Sequence, residues 1–134
     1  MTPIRRFEDI EAWKLARELL QELKPDVLSP PLSNDFRLAA QIRDSADSTM
    51  ANIAEGFERG RPTEFRQFLS IAKASCGELR SHLYVAHDFG YLKPERLEYL
   101  LAKAERVGRM LGGLRKAVDK KSKETGLHPT ARTK

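Results

Sequence analysis

The sequence predicts an all-α fold, an antiparallel up-down-up-down four-helix bundle, and three observations carry that prediction. Apolar residues recur every three or four positions over long stretches, as one face of a helix turned toward a core requires. Alternating Val, Ile and Thr runs of the kind strands need are missing from the sequence. The seven prolines and eight glycines fall mostly within 25 to 31, 56 to 62 and 108 to 113, leaving long uninterrupted segments between them. A chain of 134 residues is long enough for one core and too short for two.

The first helix is expected from about Glu8 to Leu23, with Ile10, Trp13, Ala16, Leu20 and Leu23 facing inward, Trp13 as the anchor and Pro25 as the stop. A loop with Pro25, Pro30 and Pro31 leads to Ser33 and Asn34, either of which can cap a second helix that continues to about Phe57. Gly56 and Gly60 are read as its end. Pro62 suits the first position of a third helix, and Glu64 near its third position favours the positive end of the helix dipole. Phe65, Phe68, Ala72, Cys76, Leu79, Leu83 and Ala86 carry its core face, and Gly90 ends it. After Pro94 the fourth helix has the clearest repeat: Leu97, Leu100, Ala104, Val107, Leu111, Leu114 and Val118. Short links between helices two, three and four make each turn back beside its predecessor. Gly108 and Gly112 inside the last seam are expected to mark close approach of a neighbouring helix.

The net charge of +5 is unevenly placed. From Arg115 onward seven Lys or Arg face only Asp119 and Glu124, whereas the remaining 114 residues hold 17 basic and 17 acidic side chains. The expected organisation is a neutral bundle over 1–121 followed by a basic tail over 122–134, whose Thr, Lys, Pro and Gly content reads as disordered. Such tails bind phosphate backbones or keep a protein soluble. No apolar run approaches the roughly 20 residues that cross a bilayer, and acids interrupt the amino-terminal segment, so no membrane role and a cytoplasmic location are expected. Cys76, between Ala72 and Leu79 on an apolar face, is expected to be a buried structural thiol.

Two further stripes bear on function. Along helix two, Gln41, Ser45, Ser48, Asn52 and Glu55 keep a helical rhythm away from the core face of Ile42, Ala46, Met50, Ile53 and Phe57, and are candidates for a contact between subunits. On helix three, Arg66, Ser70, Lys73, Gly77, Arg80 and Tyr84 put three cations in line. A nucleic-acid backbone fits such a line, and so does a solvated face or a subunit contact with acids such as Glu55, Glu58 or Asp47 of a neighbour. The nucleic-acid candidates are therefore Arg66, Lys73 and Arg80 with Arg115, Lys116, Lys120, Lys121 and Lys123 of the carboxyl-terminal run.

The stretches FEDIEAW, QIRDSADSTMANIAEGFERG, EFRQFLSIAKASCGELRSHLYVAHDFGYL and GRMLGGLRKAV, spanning about 7 to 118, resemble the four-helix-bundle proteins encoded by intervening sequences within bacterial 23S ribosomal RNA genes. A more distant similarity is to the accessory protein of diversity-generating retroelements, which binds a reverse transcriptase and nucleic acid. The resemblance implies a bundle, assembly as a homopentameric barrel and no enzyme activity. Two positions depart from the family pattern: Met50 stands where SIPANIAEG has its proline, which favours a straighter second helix, and Arg61 replaces the serine that opens a capping box with Glu64.

Catalytic equipment is thin. Di-iron bundles need Glu-x-x-His pairs, and none occurs; Glu78 and His82 are a single pair four apart. No phosphate loop or GxSxG elbow is present, and His82 and His87 are expected at the surface. The expectation is a self-associating bundle without enzyme activity, metal or cofactor, with RNA or a nucleic-acid-processing enzyme as a further partner. Its rival is a protein-protein adaptor with no nucleic-acid role.

Overall fold

The computed structural model of the chain describes residues 3–124. Four helices make up the body: α1 (Glu11–Leu28), α2 (Phe36–Glu58), α3 (Pro62–Asp88) and α4 (Pro94–Glu124), with short 3-10 turns at Phe7–Asp9 and Leu32–Asn34. Ser48 meets Ser75, Arg66 meets Asp119, and Arg80 meets Glu105, so α2 runs against α3 and α3 against α4. At the opposite end Tyr91 reaches Asp35 and Arg96 reaches Asp26, which places the end of α1 and the start of α2 beside the turn before α4. The helices therefore alternate in direction around one core.

That core is built from the expected periodicities: Ile42, Ala46 and Ile53 from α2, Ala72, Cys76, Leu79, Leu83 and Ala86 from α3, and Leu97, Leu100, Ala104, Val107 and Leu111 from α4. At α1, Ile10, Ala16 and Leu23 are buried as expected, and Ala12 and Leu19 are buried where Trp13 and Leu20 were expected. Trp13 is only partly buried; its ring packs edge-on against Phe7 at 5.2 Å and carries the Arg17 guanidinium at 5.8 Å. It seals an edge of the bundle, and small Ala12 and Ala16 let α1 lie close to its neighbours.

Four expected boundaries need correction. Pro25 does not end α1, which continues one turn to Leu28. An interior proline costs about 3 kcal/mol, and here Arg96 holds the turn that contains it, donating to the Glu22 carbonyl and to the Asp26 carboxylate, each at 2.7 Å. The cap of α2 is Asp35, whose carboxylate accepts from the Leu38 amide at 3.1 Å; Ser33 and Asn34 lie in the 3-10 turn before it. Gly56 lies inside α2, and Gly60, at φ +76°, makes the turn that follows. The fourth concerns the tail: α4 runs on to Glu124, so Ser122, Lys123 and Glu124 are helical, and the rest of the expected tail lies outside the described residues. Among the described residues no helix is long and apolar enough to cross a membrane.

The glycine that marks close approach is Gly56. A methyl group there would stand 2.5 Å from Phe68 Cβ, which fixes the spacing of α2 and α3. Gly108 faces open space, contrary to its expected role, and Gly112 makes only ordinary contact, 3.5 Å, with the stem of Lys73.

Candidate functional site

The polar stripe of α2 belongs to the seam between α2 and α3. Ser45 is buried and donates to the carbonyls of Gln41 and Ile42, and Thr49 donates to that of Ser45. Ser48 shares a 2.9 Å hydrogen bond with Ser75 of α3, while Asn52 donates to both the carbonyl and the hydroxyl of Ser48. Back-bonding to the helix's own carbonyls satisfies Ser45, Thr49 and Asn52, and the Ser75 hydroxyl satisfies Ser48, so they pack in a tight interface without an unpaired hydroxyl. Of the five residues expected at a subunit contact, Gln41 and Glu55 are exposed, and Glu55 is taken by Arg59 at 3.0 Å. Ser45, Ser48 and Asn52 are occupied within the chain.

The cation line of α3 faces α4. Arg66 Nε lies 2.8 Å from the Asp119 carboxylate, Arg80 Nη2 lies 3.9 Å from that of Glu105, and Arg115 donates to Ser70 at 3.1 Å. The acids that meet Arg66 and Arg80 are therefore of the same chain. Exposed pairs of this kind are worth about 0 to 1 kcal/mol each, and here they lace two helices together. Lys73 is exposed beside Gly112. Lys116, Lys120 and Lys121 are exposed on the last turns of α4; Lys123 is helical, and its side chain lies outside the described residues.

Two further cations of α4 were not among the sequence candidates. Arg106 and Arg109 are exposed on α4 and, like Lys116, make no ion pair or hydrogen bond among the described residues. At 100° per residue these three share an arc of about 80° opposite the Val107 and Leu111 seam. The signal that finds them is the same heptad that finds the core, read from its other side. Arg106 also lines a shallow groove between α1 and α4 with Leu15, Glu18, Leu19, Lys103 and Val107.

At the other end of the bundle Leu28, Phe36 and Phe89 are 61%, 81% and 65% exposed. The Phe89 ring packs edge-on against Tyr91 at 5.9 Å, and the Tyr91 hydroxyl donates to Asp35 at 3.0 Å, bringing Phe89 to the start of α2. The apolar end thus lies at the start of α4, and the basic flank begins near the middle of that helix.

The thiol and the two histidines of α3 are accounted for by packing. Cys76 is buried, as expected, with its thiol donating to the Ala104 carbonyl at 3.1 Å; burial pushes its pKa up, and the charges of Arg80 and Lys73 only partly oppose that. Neither histidine is fully exposed, against expectation: His82 lies 3.9 Å from Glu78, and His87 Nδ1 is 2.9 Å from the Leu92 carbonyl, within the α3 to α4 turn. Among the described residues no group of three or more His, Cys, Asp or Glu is placed to hold a metal ion.

No curated protein matches the chain. The profile of one protein family matches residues 8–113, which takes in α1, α2, α3 and most of α4 and leaves Arg115 and the residues after it outside the match. With four helices in the expected order and a match over most of its length, the chain belongs to the 23S rRNA-intervening sequence protein family.

Proposed function

We propose that the protein is a non-enzymatic bundle that assembles with copies of itself and binds RNA through the phosphate backbone. The observation that carries the RNA reading is the imbalance of charge on α4: between Lys103 and Lys123 eight Lys or Arg stand against Glu105 and Asp119, and both acids are already met by α3. An excess of cations over acids along one helix attracts a polyanion at long range and releases its condensed counterions on contact. Self-association is supported by three large apolar residues, Leu28, Phe36 and Phe89, exposed at the end of the bundle where α1, α3 and the start of α2 meet, since exposed apolar surface marks protein contacts. The resemblance to homopentameric barrels supplies the subunit number.

Two measurements test this reading. Light scattering of the intact protein is expected to give about five 15.2 kDa chains in a closed ring, and Phe36→Glu is expected to lower that mass; a monomer at micromolar concentration rejects assembly. Titration into labelled RNA is expected to show binding that weakens steeply between about 50 and 200 mM salt. Flat curves at the lower salt leave the rival adaptor, whose support is that Arg66 and Arg80 are spent within the chain.

A further inference from the structure

We infer that the RNA contact is made by the outward line Arg106, Arg109 and Lys116 of α4, and not by the line of α3 on which the sequence places Arg66 and Arg80. The inference rests on the RNA reading above and assigns the surface. Its first support is pairing. Arg66 and Arg80 have the carboxylates of Asp119 and Glu105 beside them, which offset their attraction for a phosphate, while Arg106, Arg109 and Lys116 have no such partner among the described residues. Glu18 lines the groove beside Arg106 without an ion pair to it, and Glu105 on the same helix is turned to Arg80.

Geometry is the second support. At 1.5 Å per residue the line spans about 15 Å, long enough to meet several successive phosphates of one RNA strand. Gly113 lies on the same outer side between Arg109 and Lys116, and a methyl group there would meet nothing within 4 Å. A backbone can therefore approach the helix between the cations without obstruction. Two of the three cations are arginines, whose planar guanidinium offers paired donors to phosphate oxygens where an ammonium offers a point charge. Base edges have no dedicated reader on this line, so the contact takes RNA phosphates with slight sequence preference.

The test combines Arg106→Gln, Arg109→Gln and Lys116→Gln in the full chain. All three residues are exposed, and circular dichroism checks that the helices persist. A control that removes the same charge elsewhere combines Lys24→Gln, Arg37→Gln and Arg43→Gln, exposed on α1 and α2. Fluorescence anisotropy with a labelled RNA hairpin and a labelled unstructured strand is expected to show at least about a tenfold loss for the α4 variant near physiological salt. Its salt slope is expected to fall by about 2 on the single strand, at 0.7 for each lost contact. The control is expected to stay within about twofold. Equal losses in both variants would make this an effect of total charge and overturn the assignment. An α4 variant that binds as the intact protein does would overturn it while leaving RNA binding in place, whereas an intact protein that binds neither RNA removes both readings. Binding of labelled polyglutamate in preference to either RNA would identify an acidic protein partner and also overturn it.

Discussion

Gly56 and Phe68 meet where α2 and α3 lie closest, and a methyl group on Gly56 would stand 2.5 Å from Phe68 Cβ and 3.2 Å from the Phe65 ring. Helix propensity favours alanine over glycine by about 1 kcal/mol, so propensity and packing oppose each other at this position. A Cβ-to-Cβ clash cannot be relieved by rotating a side chain; the helices must separate. Gly56→Ala is therefore expected to destabilise the fold by about 1 to 3 kcal/mol, measured by urea denaturation. Gly77→Ala and Gly108→Ala, where an added methyl meets nothing within 4 Å, are expected to stabilise it by about 0.5 to 1 kcal/mol. A stabilised Gly56 variant would reject this account of the seam.

The contrast among these glycines shows what was legible in the sequence. Periodicity located four helices and most core positions because it records which side chains avoid water. It could not say which helix a second stripe faces. Ser45, Ser48 and Asn52 read as an outer polar face; instead they line a seam in which Ser45 and Asn52 donate to backbone carbonyls and Ser48 pairs with Ser75. Pro25 read as a stop because the side chain that carries α1 past it, Arg96, is 71 residues away in sequence. The charges of α3 read as free because Asp119 and Glu105 lie on another helix. Each error is a tertiary partner that local spacing does not encode.

The Ser48 and Ser75 hydroxyls lie 2.9 Å apart across α2 and α3. Ser48→Ala and Ser75→Ala are each expected to cost about 0.5 to 1.5 kcal/mol, with the Ser48 change the larger because Asn52 also loses an acceptor. Since the two share one bond, the double variant is expected to fall short of the sum by about 0.5 kcal/mol or more. Full additivity in urea melts would show the bond to be energetically idle. Ser48→Arg is expected to lower helix content itself, because the seam has no room for the longer chain.

Arg96 joins α4 to the end of α1 by three hydrogen bonds to the Asp26 carboxylate, from Nε and Nη2, one to the Glu22 carbonyl and a stack over the Tyr99 ring at 5.4 Å. Hydrogen bonding to Asp26 is the largest influence on its pKa, which is raised, so the charge is fixed across the working range of pH. Lysine cannot reproduce the fork, the carbonyl contact and the stack together. Arg96→Lys is expected to cost about 1 to 2 kcal/mol after allowance for the partial exposure of the pair. High salt is expected to recover little of that loss in denaturation curves. A variant within about 0.3 kcal/mol of the parent would show that α1 passes Pro25 without this support.

The Cys76 thiol is buried against the Ala104 carbonyl, and burial raises its pKa above the ordinary value of 9.0. A proton held more tightly in the folded chain than in the unfolded one stabilises the fold fully below the unfolded pKa. That contribution is lost as pH rises through the unfolded value toward the folded one. As pH rises past 9.0 the parent is therefore expected to lose stability faster than Cys76→Ala, which has no thiol to ionise. At neutral pH the order is reversed, because the smaller side chain leaves a cavity and costs about 1 to 2 kcal/mol. Disulfide-exchange reagents at pH 8 are expected to modify the native thiol only as fast as the fold opens, and the denatured thiol at once. Modification of the native protein at the denatured rate would place Cys76 within reach of solvent and reopen a chemical role for it.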